Sequence, residues 1–428
     1  MNLFTSYFNA LNQTEISYAV TGRIENYPKD IHSDIDIIIP NNQFHLFWIF
    51  MSDINKQQMN WIQAISHEIT AHYCIVKISD GINHNFIKPD VCSNYYRKGI
   101  LFLEADFLLK GRILNTKGFY QLACEKEYIY YLIKKIDKGG IDKAQFNHLR
   151  DKWTENKRLC LEISSLFFPK ECQQIISDAF EKNDQLHLIN NLITLKKGLH
   201  HNLTFSIKDF LLKVKNRIIR IIQPTGLVIA VMGPDGCGKT TIINHIESDL
   251  TDVFRQSKIF HLYPLPQIDS TIVQNPHSLK PRGLISSILK LIYYLFLYTI
   301  GFWFIIYPLK IKSTFVIFDR YYHDILIDPY RYRQNCSLFW TKLIGFFIPK
   351  PDLWILLDAP FEIIQQRKSE VSAAETERQL IAYRKLFANL KNAFIVNANQ
   401  PIQTVGYEVE QKITEYIQTR TFKRYKNI

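Results

Sequence analysis

The stretch LVIAVMGPDGCGKT, residues 227–240, decides the fold of the C-terminal half of this chain. Its first six residues are an apolar run, which is typical of a strand buried on both faces. The next eight residues match the pattern GxxxxGK[ST] in full, and a helical pattern, TTIINHIESDL, begins at Thr240. Strand, glycine-rich loop and helix in this order predict a loop whose backbone N–H groups bind phosphate.

Each residue type in this loop has a physical role. Glycine allows the backbone to turn tightly and to approach phosphate oxygens. The Lys239 ammonium brings a positive charge to the β and γ phosphates, and the Thr240 hydroxyl is a ligand for Mg²⁺. The predicted phosphate-binding residues are Gly233, Asp235, Gly236, Gly238, Lys239, Thr240 and Thr241.

Further candidate residues follow two later strands. The apolar run FVIF is followed by Asp319 and Arg320, and ligands of open parallel sheets bind where such strands end. Asp319 would hold the water shell of a metal ion or orient an acceptor, and Arg320 would bind an anionic acceptor. Arg367 ends the helix PFEIIQQRK, where it is either part of a basic lid or a solvated helix-end charge. The predicted catalytic residues are Lys239, Asp319, Arg320 and Arg367.

Composition restricts the class of protein. The chain has 428 residues, of which 47% are hydrophobic and 21% charged, and this excludes a disordered or collagen-like chain. Its length predicts two or three domains. The net charge of +12 favours anionic partners, or else belongs to a basic enzyme without a special partner. Seven scattered cysteines without a CxxC pair indicate a reducing cytosol.

Three regions of the α/β class are predicted along the chain. Residues 1–125 are mixed α/β, residues 126–222 are helical, and residues 227–428 alternate strands and helices, which predicts a parallel sheet covered on both faces. A helical stretch is predicted between Asn42 and Glu68, and Asp80-Gly81 is a hairpin signal. The strands predicted for the first region are Ser17–Val20, Asp34–Ile39, Ala71–Ile78 and His84–Val91.

Two apolar segments raise the question of a membrane. Leu291–Pro308 is long enough to approach a span, but a span there would split the C-terminal domain, so we predict a buried helix, with contact at the membrane interface as the alternative. In Ile207–Ile222, apolar residues line one face of a basic helix, which packs on a neighbouring domain or lies on anionic lipid. The N-terminus does not have the pattern of a signal peptide. We therefore predict a cytoplasmic protein, with possible peripheral contact at the inner face of the membrane.

The C-terminal region resembles the thymidylate kinase group of P-loop kinases. The matching pieces are GPDGCGKTT, VIFDRYY, the unit from PDLWILLDAP to QQR, the helix around Tyr383 and FIVNANQP, in the order of that family. The resemblance implies ATP and Mg²⁺ as cofactors and the strand order 2-3-1-4-5. It also implies that Thr240 and Asp319 face the metal, that Arg367 belongs to a lid, and that Asn397 lies near the adenine.

The chain departs from this family where the acceptor binds. After the second strand it reads HLYPLPQID, without the arginine and glycines that grip a monophosphate in thymidylate kinases. The segment DRYYHDILIDPYRYR is similar to thymidylate kinase-like proteins associated with bacterial surface-polysaccharide synthesis. A small-molecule or lipid-linked glycan acceptor is therefore expected, with dTMP phosphorylation or a nucleotide-binding scaffold as alternatives, and no nucleic-acid partner. The residues predicted to line that pocket are Tyr321, Tyr322, His323, Asp324, Asp328, Arg331 and Arg333.

A second constellation of carboxylates lies in the first region. Asp34 and Asp36 alternate along a predicted strand and so face the same side, and the hairpin would bring Asp90 beside them. Without a cation, their repulsion should keep at least one of them protonated. The pattern HSDID after Thr21-Gly22 resembles nucleotidyltransferases of the DNA polymerase β type, although Gly22 is followed by Arg23 and not by serine. The resemblance implies a metal site at Asp34, Asp36 and Asp90. The domain is then either an active nucleotidyltransferase or a degenerate fold that binds or positions an acceptor. The alternative is that the Asp34-Ile-Asp36 motif is merely structural.

Overall fold

The computed structural model describes residues 3–24, 27–28, 34–54, 59–68, 70–78, 86–97, 100–199, 207–264, 280–367 and 372–425. The chain divides into two compact units. Unit 1 comprises Met1–Ile218 and Gln418–Ile428, and unit 2 comprises Ile219–Ile417. The predicted regions 1–125 and 126–222 thus fall together in unit 1, apart from the last residues of the second.

The helices and strands are numbered in chain order. The strands are β1 (Ala19–Val20), β2 (Ile35–Ile38), β3 (Met59–Glu68), β4 (Ala71–Ile78), β5 (Phe86–Ile87), β6 (Pro89–Cys92), β7 (Tyr95–Arg97), β8 (Ile100–Leu103), β9 (Ile113–Leu114), β10 (Tyr120–Gln121), β11 (Leu227–Met232), β12 (Gln256–His261), β13 (Thr314–Asp319), β14 (Leu353–Asp358) and β15 (Ala393–Asn397). The helices are α1 (Leu3–Asn12), α2 (Phe44–Asp53), α3 (Ala105–Leu109), α4 (Cys124–Lys138), α5 (Lys143–Glu155), α6 (Lys157–Phe167), α7 (Lys170–Glu181), α8 (Gln185–Asn190), α9 (Leu192–Leu199), α10 (Ile207–Ile222), α11 (Lys239–Asp249), α12 (Leu284–Gly301), α13 (Tyr307–Ile311), α14 (Asp324–Ile327), α15 (Leu338–Phe347), α16 (Phe361–Arg367), α17 (Ala373–Phe387) and α18 (Ile402–Tyr425).

Unit 1 is built on a mixed sheet with the strand order β3-β4-β6-β2-β1-β10-β9, to which β5 adds through β4. The prediction of a helix up to Glu68 is right for α2 and wrong for β3, which pairs antiparallel with β4. Most of the described β3 side chains are buried, and a continuous apolar run does not distinguish a buried strand from a helix. The antiparallel pairing of β4 with β5 is as predicted, while the Asp80-Gly81 turn lies outside the described residues.

The helices that follow share a core with this sheet. Side chains of α4 to α9 pack in one hydrophobic cluster with α3 and with Ala19 and Ile38 of the sheet. The prediction of a helical region is confirmed, because the described residues between Cys124 and Ile222 form helices and no strand. One of these helices, α4, carries its charged side chains toward the pocket described below.

Unit 2 contains a five-stranded parallel sheet with the order β12-β13-β11-β14-β15. In order of appearance along the chain this is 2-3-1-4-5, so the predicted topology is confirmed. Every residue of the central strand β11 is buried, as its unbroken apolar sequence predicts. The carboxyl ends of β11, β13 and β14 therefore meet at one edge of the sheet, where the phosphate-loop motif begins.

The long apolar helix of unit 2 is only partly buried. It runs from Leu284 to Ile311 and consists of α12, a π-helical turn over Phe302–Ile306, and α13. In its apolar 18-residue segment, 28% is buried. By length and composition it is the one helix, in the part of the chain that the structure describes, that could cross a membrane. The prediction of a buried helix is right for the face that carries Leu291 and Tyr298, which are buried. It is wrong for the opposite, outer face, where Phe304 is 78% exposed.

The residues that follow Arg320 belong to the core and not to a pocket. Tyr321 and Tyr322 are buried, and their hydroxyls donate to the backbone oxygens of Pro349 and Thr341. The predicted acceptor pocket is therefore wrong for both tyrosines and for His323, whose ring packs edge-on against Trp354 at 4.7 Å. Aromatic spacing alone does not distinguish a stacking platform from a core.

His323 makes the stability of unit 2 depend on pH. Burial, followed by the charge of Lys350, lowers its pKa from 6.5 to about 4, and no described residue hydrogen-bonds its Nδ1 atom. Between these values the unfolded chain binds a proton that the folded chain does not, so stability falls as pH falls. We expect a loss of about 2 kcal/mol between pH 7 and pH 5.

Urea unfolding at several pH values measures this effect. His323→Phe keeps the ring packing and removes the titrating group, so that this loss should disappear from its stability curve. An identical pH dependence in the variant and the wild type would contradict the assignment.

Candidate functional site

Glycine conformation sets the shape of the loop between β11 and α11. Gly233 and Gly238 have φ angles of 143° and 93°, which L-residues with side chains rarely adopt. A Cβ atom at Gly233 would lie 2.8 Å from both Cys237 Sγ and Leu357 O. The loop therefore packs tightly on β14, and α11 begins at Lys239 with its N-terminus facing the loop.

The loop forms one wall of a cleft of about 520 Å³ at the carboxyl edge of the sheet. Most of the predicted site residues line it, from the loop, from the end of β13 and from the end of α16. Sequence reasoning missed His261, which ends the neighbouring strand β12. The lining residues are Asp235, Gly236, Cys237, Gly238, Lys239, Thr240, Thr241, Ile242, His261, Asp319, Arg320, Arg331, Arg367, Ala398, Gln400, Ile402 and Val405.

The Lys239 ammonium lies over the loop backbone. Its Nζ atom donates to the carbonyl oxygens of Gly233 at 2.8 Å and Pro234 at 2.7 Å, and it lies 3.7 Å from Asp235 Oδ1. The residue is only 7% exposed, so the charge acts in a partly desolvated environment where electrostatic interactions are strong. Lys239 thus lies at the loop that the motif predicts to bind phosphate, with its ammonium on backbone carbonyls.

Asp319 and His261 stand side by side on adjacent parallel strands. They are register partners, and His261 Nδ1 lies 3.3 Å from Asp319 Oδ2. Burial raises the pKa of Asp319, but the His261 hydrogen bond and the Lys239 and Arg320 charges outweigh it and hold the pKa below its usual value. The carboxylate is therefore ionised at neutral pH.

The cleft fits a hydrated divalent cation. Asp319 Oδ1 is buried and has no hydrogen-bond partner among the described residues, and the Thr240 hydroxyl lies in the same cleft. Carboxylate and hydroxyl oxygens are the ligand types that Mg²⁺ takes in phosphate-binding sites. Thr240 and Asp319 are thus the residues that would hold it, and this assignment stays a prediction.

A cluster of opposite charges crosses the cleft. The guanidinium groups of Arg320 and Arg331 both donate to the Asp235 carboxylate. Burial raises the pKa of Asp235, but the charges of Arg320, Lys239 and Arg331 dominate and hold it far below its usual range. Arg331 was predicted in the acceptor pocket, and it is the member of that set that reaches this cleft.

Arg320 is held by a second, deeper carboxylate. Its Nη1 atom donates to Asp324 Oδ2 at 2.6 Å, and Asp324 is fully buried. Tyr332 and Tyr383 donate their hydroxyls to the same carboxylate. Arg320 also has a φ of 71°, in the left-handed region that costs energy for a side-chain-bearing residue. Such strain at the edge of a cleft is a feature of functional sites.

Arg367 lines this cleft as predicted, whereas Asn397 does not. Arg367 ends α16 exposed and lines the cleft, while Lys368–Val371, the start of the predicted lid, lie outside the described residues. Asn397 does not line the cleft, and its Oδ1 atom accepts from the backbone N–H of Asn399 at 2.9 Å. Its neighbours Ala398 and Gln400 line the cleft instead, since the chain turns there after β15.

Comparison with known proteins agrees with this geometry. Residues 231–409 match the thymidylate kinase family. The C-terminal region carries a thymidylate kinase-like P-loop kinase domain. The predicted similarity of this region to the thymidylate kinase group is thereby confirmed.

Three proteins illustrate the extent of the similarity. The probable thymidylate kinase of Pyrococcus abyssi is 34% identical over 113 residues, which are 24% of this chain and 54% of that protein. Probable thymidylate kinase 1 of Saccharolobus solfataricus is 26% identical over 179 residues, 40% of this chain and 89% of that protein. A deoxyadenosine kinase from M. mycoides with bound dATP aligns with 20% identity and a TM-score of 0.31, over 44% of this chain and 99% of its own. The match thus spans about half the length of the Pyrococcus relative.

Unit 1 has its own pocket, of about 410 Å³. Asp36 and Asp90 are register partners on the parallel strands β2 and β6, and Asp34 lines the same pocket, so the predicted convergence of three carboxylates is confirmed. Partial burial, then the charges of Asp90 and Asp36, raises the pKa of Asp34. This is the direction that the expected repulsion predicts.

The predicted metal site at Asp34, Asp36 and Asp90 is not formed in this arrangement. Within the described ranges, no group of three His, Cys, Asp or Glu residues is placed to hold a metal ion. The sequence reasoning missed Lys134 of α4, whose Nζ atom lies 3.1 Å from Asp36 Oδ2. An ammonium group thus supplies the positive charge beside this carboxylate.

The Lys134–Asp36 pair should contribute measurably to the stability of unit 1. The Lys134 side chain is 15% exposed, and although burial lowers its pKa, Asp36 outweighs this and raises it. Lys134→Met leaves Asp36 without its ammonium partner, and we expect a loss of about 2 kcal/mol in the free energy of unfolding, since the pair is only partly buried.

Lys135→Met is the matched control for denaturant unfolding. Burial and the neighbouring charges of Lys138 and Lys134 lower the pKa of Lys135, so removing its charge should cost little. Equal losses in the two variants would show that the ion pair is not the source of the stability.

Proposed function

We propose that unit 2 transfers the terminal phosphoryl group of ATP to an anionic, glycan-related acceptor. The observation that carries the proposal is the convergence of the phosphate loop with Asp319, Arg320, Arg331 and Arg367 on one cleft. The loop and the start of α11 suit the donor phosphates, because backbone N–H groups and a helix N-terminus attract negative charge. The cations across the cleft suit the acceptor.

Each residue has a defined part in this transfer. Lys239 leaves the Gly233 and Pro234 carbonyls for the β and γ phosphates, where its charge stabilises the transition state. Mg²⁺, held through Thr240 and Asp319, would neutralise charge on the transferred group. Arg367, at the exposed end of α16, is placed to approach the same phosphates from the solvent side.

The acceptor class rests on the guanidinium groups beside the loop. Arg320 and Arg331 share the Asp235 carboxylate, and an acceptor phosphate or carboxylate can take its place as a bidentate partner. The sequence after β12 also lacks the arginine and glycines of thymidylate kinases, although residues 265–279 lie outside the described residues. The guanidinium groups support an anionic acceptor, and the sequence after β12 supports an acidic or phosphorylated glycan over dTMP.

An ADP-release assay on the full chain tests the proposal. Sugar phosphates, lipid-linked saccharides and dTMP are compared as acceptors at equal concentration. We expect saturable ADP release with a member of the first two classes and none above background with dTMP. The relatives named probable thymidylate kinases make dTMP the second candidate, and efficient dTMP turnover would establish it instead.

For unit 1 we propose binding of an acceptor in preference to nucleotidyl transfer. The Lys134–Asp36 pair, together with Lys135, Lys138 and several tyrosines in the pocket, supports recognition of a phosphate-bearing ring. Calorimetry with Mn²⁺ and a nucleoside triphosphate, in a Lys239→Ala background, distinguishes the two. Metal-dependent triphosphate binding that Asp34→Asn with Asp36→Asn abolishes would favour nucleotidyl transfer.

A further inference from the structure

Unit 2 exposes many large apolar side chains on α12, on the π-helical turn that continues it, and on α15. Helices α12 and α15 pack against each other, and both turn apolar faces outward. Phe304, Phe346 and Ile285 are 78%, 74% and 73% exposed. The apolar patch consists of Leu284, Ile285, Leu289, Ile292, Tyr293, Phe296, Ile300, Trp303, Phe304, Leu338, Phe339, Trp340, Leu343, Phe346 and Phe347.

The inner faces of these helices fix the patch in place. Leu291, Tyr294 and Tyr298 of α12 belong to the core over the parallel sheet. On α15, a Cβ atom at Gly345 would lie 3.0 Å from the Tyr322 ring, so this helix lies close against the core. The helices therefore have no freedom to rotate their outer faces inward. An apolar surface of this extent on a rigid element marks an interaction site.

A transmembrane span does not fit the topology. Strands β12 and β13, which precede and follow the long helix, are adjacent parallel strands of one sheet. The helix is thus a crossover between neighbouring strands, and one of its faces is already buried in protein. A helix held in this way presents a face to a membrane and does not cross it.

The charged residues in the two segments that carry the patch are all basic. Just beyond the second segment, Asp352 pairs with Lys310 at 2.8 Å. Residues 280–318 and 329–351 contain no Asp or Glu, and they contain the exposed lysines Lys280, Lys312, Lys342 and Lys350. Lys290 lies over the Tyr293 ring, 4.5 Å from its centroid. Trp303, Trp340 and Tyr293 are of the types enriched where protein meets lipid headgroups.

We propose that the apolar patch of α12 and α15 docks on an anionic membrane surface, with its aromatic side chains in the headgroup layer and its lysines on the lipid phosphates. This goes beyond the proposed phosphotransfer and does not depend on it. A second copy of the chain is the less suitable occupant. A two-fold contact would bring the basic residues of these two segments together, and neither segment contains a carboxylate to pair with them.

Vesicle co-sedimentation of the full chain tests the proposal. The wild type should bind vesicles of phosphatidylcholine mixed with phosphatidylglycerol, and binding to phosphatidylcholine alone should be much weaker. Phe304→Ser with Phe346→Ser should weaken binding about a hundredfold, since burial of each phenyl ring in the membrane should raise the affinity about tenfold. Ile381→Ser is the matched control, because Ile381 is 59% exposed on α17, outside the patch, and should not change binding.

A charge variant separates lipid from other partners. Lys342→Gln should reduce binding to the anionic vesicles about fivefold, whereas Lys385→Gln, on α17, should not. Absence of vesicle binding by the folded wild type would overturn the proposal. So would a dimer in lipid-free buffer that Phe304→Ser with Phe346→Ser dissociates, because a second copy would then cover the patch.

Discussion

Lys239→Ala should reduce phosphoryl transfer about a thousandfold, because the lost charge acts most strongly on the transition state. The Lys239 ammonium is anchored on the loop carbonyls, and no other lysine lines the cleft in the part of the chain that the structure describes. No second lysine of the described cleft is therefore available to replace it. ADP release with a working acceptor measures the effect, and the midpoint of thermal unfolding reports whether the variant is folded.

The control for this variant is a lysine of the same unit outside the cleft. Lys385 is exposed on α17, and Lys385→Ala should leave turnover unchanged. Undiminished ADP release by a folded Lys239→Ala protein would rule out the kinase assignment, because transfer would then not use the phosphate loop.

Arg320→Met should destabilise unit 2 by about 3–5 kcal/mol and also abolish transfer. The Arg320 side chain is 5% exposed and neutralises both Asp235 and Asp324, and the second of these is fully buried. Removing the guanidinium leaves a buried carboxylate without its cation, which is the costly way to break such a pair. The midpoint of thermal unfolding should fall by about 10 °C.

Two further variants identify the source of this loss. Arg320→Met with Asp324→Asn should recover part of the stability, because the buried charge is then removed. Tyr332 and Tyr383 donate to different oxygens of Asp324, so in the variant one hydroxyl donates to the amide oxygen and the other accepts from the amide NH2 group. Arg333→Met is the matched control, since the Arg333 side chain donates to the Lys280 carbonyl in a solvent-exposed hydrogen bond and not to a buried carboxylate. Equal losses for Arg320→Met and Arg333→Met would contradict the buried-pair interpretation.

Prediction succeeded where neighbouring residues along the chain decide the outcome. The phosphate loop is one local unit, in which a buried strand, glycines and a helix start follow each other within 227–250. Asp319 and Arg320 were found because the end of a parallel strand is recognisable from its apolar run. The strand order came from the family resemblance, and the register of β11 with β13 and β14 confirms it.

The residues that prediction missed depend on distant parts of the chain. His261 and Asp319 meet only because β12 and β13 are paired, with the long helix between them in sequence. Lys134 reaches Asp36 only because α4 packs over the sheet of unit 1, and the two residues form an ion pair at the predicted metal site. No local pattern marks such partners.

The exposed face of α12 and α15 also could not be predicted from the sequence. An unbroken apolar sequence such as Leu291–Tyr307 fits a core helix, a span and a surface helix equally well, because hydrophobicity carries no direction. The loop, the strands and the positive charge follow from the amino-acid sequence because they depend on local spacing and composition. Which side of the helix is buried, and which cation faces which carboxylate, was decided by tertiary packing, because both depend on contacts between residues far apart in the chain.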